Sequence, residues 1–137
     1  MLLASPAIIL TAAVSLLAVI LALLFALAAG RTRSRLRIDA PAMSGHPELE
    51  RALRIQGNTV EQLVIFLPAL WLAALYFQGW WAPLLGLVWC AGRIVYAFTY
   101  GDYRARFPGF ALTVLPTVIL MVLAALGLFG AWTASAA

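Results

Sequence analysis

The chain has 137 residues, of which 65% are hydrophobic and only 10% charged, with a mean hydropathy of +1.01. A soluble domain of this length has too much surface to tolerate such a composition, so the class is integral membrane. The net charge of +4, from nine arginines and no lysine against five acidic residues, suits anionic lipid headgroups or an anionic ligand; no sequence module points to nucleic acid.

The stretch Ala7–Ala29 carries no charge and is long enough to cross a bilayer. It lacks the basic start of a secretory signal and its apolar run is too long for one, so it reads as a retained first helix, about 7–29. A polar loop, "GRTRSRLRIDAPAMSGHPELER", follows with Pro41, Gly45 and Pro47 as breakers. Glu48 and Glu50 then favour a helix start, and the second helix is expected over about 48–77 with a kink at Pro68. "QGWWAP" makes a short turn whose two tryptophans suit the headgroup region. The third helix is expected over about 83–100, ended by "GDYRARFPG". The fourth is expected over about 110–132, uncharged, bent at Pro116 and marked at its far end by Trp132. The fold class is therefore all-α: one four-helix transmembrane bundle over residues 1–137.

Charge fixes the orientation. Arg31, Arg33, Arg35, Arg37, Arg51 and Arg54 lie in or beside the first loop, and Arg104 and Arg106 in the third. The second loop and both ends carry no charged side chain. The first and third loops share one side of a four-span protein, and the positive-inside rule makes that side cytoplasmic. The arginine-only basic set beside so many alanines fits a GC-rich bacterial genome, hence an expected bacterial inner-membrane location.

Two polar stripes interrupt the apolar spans. Arg51, Arg54, Asn58 and Glu61, spaced 3, 4 and 3, share one face of the second helix. Arg93, Tyr96 and Tyr100, spaced 3 and 4, share one face of the third. Both stripes fall at matching depth in the cytoplasmic half of the membrane. Charges there cost about 2.5–3.5 kcal/mol each unless paired or hydrated. A Glu61–Arg93 bridge between helices would neutralise one pair, but it leaves Arg54, Asn58 and both tyrosines over. A ligand rich in carboxylates and amides would use these donors, with glutamate left to hold an ammonium.

Elsewhere the sequence carries little chemistry. Cys90, the one cysteine, stands in an apolar stretch and reads as a packing residue. His46, the one histidine, is far from it, so no metal site is expected. No phosphate loop or dinucleotide fingerprint appears.

"GHPELERALRIQGNTVEQ", then "FLPALWLAAL" and "GRIVYAFTY", together resemble the MAPEG family, membrane-associated proteins in eicosanoid and glutathione metabolism. The resemblance covers roughly Arg31 to Gly109. It implies a homotrimer with glutathione as co-substrate, bound between neighbouring subunits. Arg54, Gln56, Asn58 and Glu61 would contact glutathione from one helix, and Arg93, Tyr96 and Tyr100 from a helix of the next subunit. An arginine past the second tyrosine would activate the thiol; Arg104 and Arg106 compete, and Arg106 is preferred as nearer the fourth helix. Arg33 and Arg35 are secondary candidates beside their simpler role as topology signals. Gln62 departs from the tyrosine common after the motif glutamate in the leukotriene branch, which weakens a leukotriene assignment.

The expected function is a membrane glutathione transferase or peroxidase acting on hydrophobic electrophiles or lipid hydroperoxides. Glutathione would enter from the cytosol and the partner from the lipid. A non-catalytic lipid-binding or scaffold member is the alternative, against which the retained polar residues argue. Charges confined to one half of the membrane argue against a transporter.

Overall fold

A computed structural model describes residues 5–136. Four helices, α1 (Pro6–Leu36), α2 (Pro47–Leu72), α3 (Trp81–Thr99) and α4 (Tyr103–Ser135), account for most of them. Each is long and apolar enough to cross a membrane. A π-helical turn, Ala73–Phe77, continues α2 past Pro68, which lies inside the helix.

Local capping chemistry sets the helix starts. The Ser5 hydroxyl accepts from the Ile8 amide and Pro6 opens α1. His46 Nδ1 accepts from the Glu48 amide at 3.2 Å and Pro47 opens α2. The Asp102 carboxylate accepts from the Arg104 and Ala105 amides at 2.8 and 3.4 Å and opens α4.

Two helices run beyond their expected limits. Composition marks where the membrane ends, whereas the helix stops where its caps lie. Arginine and leucine sustain a helix well, so α1 continues through Arg31, Arg33 and Arg35 to Leu36. It closes at Arg37, left-handed with φ of 54°, while the Ile38 amide bonds back to the Arg33 carbonyl at 3.2 Å. α4 begins about two turns before the expected 110 because Asp102 caps it and the helix runs straight through Pro108. Arg104 and Arg106 are therefore helical.

The core is assembled around α3. Trp89, fully buried, stacks on Phe66 of α2 with ring centroids 4.2 Å apart. α3 and α4 touch backbone to backbone at two glycines. A Cβ on Gly92 would lie 2.7 Å from the Leu112 Cβ, and one on Gly109 would overlap the Tyr96 backbone, 2.6 Å from its Cα. Glycine alone permits this approach. The Gly109 contact presses the start of α4 onto the end of α3, where the polar residues lie. Thr11, Thr59, Thr113 and Thr117 are buried, and each hydroxyl bonds a carbonyl three or four residues earlier. Large apolar side chains such as Leu16, Val64 and Phe98 point outward, as lipid-facing spans require.

Candidate functional site: a groove centred on Asn58

The two polar stripes meet within one chain. Asn58 Nδ2 of α2 donates to the Tyr96 hydroxyl of α3 at 2.6 Å. This contact joins α2 and α3 of one protomer. Because the Tyr96 oxygen accepts from Asn58, its own O–H remains free to donate. Tyr96 is 7% exposed, so that donor is fixed in place. Tyr100 packs edge-on against it, with centroids 5.3 Å apart.

Arg93 makes its polar contacts within the protomer. It is 1% exposed, and its Nη2 donates to Thr59 Oγ1 at 2.7 Å. Its guanidinium lies 4.5 Å from the Tyr96 ring centroid. Glu61 does not bridge to it: among the described residues the one ion pair joins Arg35 and Glu48. Helical geometry accounts for the exchange of partners. Glu61 stands two residues, about 200°, beyond Thr59 on α2, so Thr59 is buried where it meets Arg93 and Glu61 is exposed at the edge of the helix. Arg93 thus braces Tyr96 from behind through a hydroxyl and a ring, and its Nε is left without a partner.

Three cavities adjoin at Asn58. One, about 370 Å³, lies between α2, α3 and the start of α4 and is lined by Tyr96, Tyr100, Tyr103, Arg106, Phe107 and Phe110 besides Asn58. A second, about 380 Å³, runs along α2 past Glu50, Arg54, Asn58 and Glu61 and is edged by Met43 and Ser44 of the first loop. A third, about 170 Å³, lies between them against Glu61, Gln62, Arg93 and Tyr96. Together they line up the guanidiniums of Arg54, Arg93 and Arg106, the carboxylates of Glu50 and Glu61, the amides of Asn58 and Gln62, and tyrosine hydroxyls. Arg106 is half-buried and Arg104 exposed. Arg104 lines none of these cavities.

Other expected contributors lie elsewhere. Gln56, two residues from both Arg54 and Asn58, falls on the far side of α2, toward the face that buries Leu49, Thr59 and Leu63. Arg33 donates to the Ile38 and Ala42 carbonyls at 3.3 and 2.7 Å and pins the first loop. Arg35 pairs with Glu48. Arg51 reaches the α3–α4 turn, 3.3 Å from where a Gly101 Cβ would be. Tyr103, Glu50 and Ser44 line cavities although sequence reasoning passed over them. For Tyr103 the signal was available: reading Asp102 as a helix cap places Tyr103 and Arg106 on one face, three residues apart.

The sequence has well-matched relatives. An uncharacterized protein of Synechocystis is 45% identical over 114 residues, 81% of this chain and 82% of that protein. Human microsomal glutathione S-transferase 2 is 40% identical over 121 residues, 88% of this chain and 82% of its own length. Guinea-pig leukotriene C4 synthase is 36% identical over 129 residues, 93% of this chain and 86% of its own. The family model described as "MAPEG family" matches residues 9–126, which take in all the groove residues of α2, α3 and α4. By that match and these relatives, this four-helix membrane protein belongs to the MAPEG family.

Proposed function

We propose that the Asn58-centred groove binds glutathione and presents its thiolate to a hydrophobic electrophile dissolved in the bilayer. The carrying observation is that Asn58 lines three adjoining cavities whose walls supply Arg54, Glu61, the Tyr96 hydroxyl and Arg106. Glutathione has two carboxylates, one ammonium, two peptide groups and a thiol. Arg54 suits a carboxylate, Glu61 the ammonium, Asn58 a peptide group and Arg106 the thiolate. The relatives named as a glutathione S-transferase and a leukotriene C4 synthase support the same ligand.

In this reading the thiolate forms a carbon–sulfur bond to the electrophile and the leaving group, or an opened ring oxygen, takes the electron pair. With a hydroperoxide it attacks the terminal oxygen instead, breaking the O–O bond and releasing the alkoxide, protonated to the alcohol, with a sulfenic acid left on glutathione. A second glutathione thiol then displaces that hydroxyl as water and gives the disulfide. Arg106 contributes a guanidinium and Tyr96 an O–H donor held by Asn58. The arginine-rich ends support a groove that opens on the cytoplasmic side. Purified protein should turn over a generic aromatic electrophile, a lipid hydroperoxide, or both, with glutathione. Tight glutathione binding with no turnover of either would favour a non-catalytic lipid-binding or scaffold role.

The groove is also open along one side. Arg54 and Glu61 are exposed on a membrane-spanning helix, and among the described residues neither forms an ion pair. Uncovered charges at that depth are costly. A neighbouring copy covering this face of α2 would enclose both, which supports a homotrimer with three such sites. Native mass spectrometry from detergent should show the trimer; a monomer that binds glutathione with full affinity would contradict it.

A further inference from the structure

Arg106 is held by rings. Its guanidinium lies 5.2 Å from the centroid of Tyr100 and 5.1 Å from that of Tyr103. No carboxylate pairs with it among the described residues. Asp102, the acidic residue closest in sequence, has its carboxylate engaged by the Arg104 and Ala105 amides.

The local sequence builds this arrangement in three steps. The Asp102 cap starts α4 at Tyr103, and the Arg106 amide closes the first turn onto the Asp102 carbonyl at 3.0 Å. Tyr103 and Arg106, three apart, then share a helix face. The close approach of Gly109 to Tyr96 brings that face against the end of α3, where Tyr100 waits. Tyr103 itself is 77% exposed, so its ring adds nothing to the core. Its contact is with the cation.

A guanidinium stacked on aromatic rings is planar, weakly hydrated and attracted by the ring quadrupole, and it aims its N–H donors edgewise. Without such restraint a half-buried arginine samples many rotamers, and its field at any one point is diluted. We propose that Tyr103 is a positioning residue: with Tyr100 it holds the Arg106 guanidinium edge-on to the cavity, aligned with a bound thiol. The chemistry of this proposal rests on the glutathione reading above; its geometry does not.

Two substitutions, Tyr103→Leu and Tyr103→Phe, separate ring from hydroxyl and from bulk. The first readout needs no glutathione: site-resolved mass spectrometry of Arg106 labelling by an arginine-directed dicarbonyl, with Arg104 as internal control. The second is thiolate absorbance per bound glutathione at pH 7. Tyr103→Leu should label Arg106 about two- to five-fold faster, the factor that an exposed cation–π contact sets. Arg104 labelling should stay constant, and the ratio of thiolate to thiol should fall by a similar factor. Tyr103→Phe should restore both values. Unchanged Arg106 labelling in Tyr103→Leu overturns the clamp, as does Tyr103→Phe behaving like Tyr103→Leu. A labelling change with no thiolate change overturns the positioning role. Should the unmodified protein bind glutathione without any thiolate signal, the activation reading fails while the labelling still decides the clamp.

Discussion

Arg106→Ala should remove the thiolate absorbance of bound glutathione at pH 7 while glutathione still binds, and Arg104→Ala should have the smaller effect. A free thiol with a pKa of about 8.5 is only a few per cent ionised near neutrality. Lowering that value by about two units requires about 2.7 kcal/mol of preference for the thiolate. A guanidinium in a half-desolvated cavity supplies this, because it stays charged and its field is less screened than in bulk water. Arg106 faces the cavity shared by Asn58, Tyr96 and Tyr100; Arg104, two residues away on the same helix, points elsewhere. The loss should be about a hundred-fold in the ratio of thiolate to thiol. The reverse ranking would make Arg104 the activating residue. No loss in either variant would move the role to Tyr96 or Tyr100, whose hydroxyls can each donate one hydrogen bond to sulfur.

Much of this arrangement is legible in the sequence. The four spans follow from apolar runs bounded by arginine clusters, since each must be long and charge-free to satisfy the bilayer. The stripes are legible because polar residues spaced 3 and 4 apart share one face, and in an apolar helix such a face is costly unless something binds it. The partners within the stripes are not. Sequence proximity in charge suggests Glu61 for Arg93, whereas the helical phase of α2 points Thr59 inward and Glu61 outward. A charged group is thus matched to a hydroxyl and a ring, a compensation that no charge count reveals. Gln56 sits inside the motif but on the other side of the helix, because a motif is linear and a face is not.

The start of α4 shows the same limit from another direction. Pro108 and Gly109 read as a break, yet the Asp102 cap lies upstream and Gly109 is there for contact with Tyr96. Reading the glycine as a turn hides the helical placement of Arg106 and with it the contribution of Tyr103. Close helix packing uses glycine for its missing side chain, and the sequence does not distinguish that use from a turn.

The most direct test of the groove as a glutathione site is calorimetric affinity of Arg54→Ala and Glu61→Ala measured beside thermal stability. Both side chains are exposed in the protomer and neither holds the core. Glu61 forms no ion pair with Arg93, which donates to Thr59 instead. Folding should therefore be little changed. Each substitution deletes one charge-assisted contact with the ligand, worth about 1.5–3 kcal/mol, so affinity should fall about ten- to a hundred-fold. Glutathione affinity equal to the unmodified protein in both variants, each with its thermal stability intact, would contradict the site.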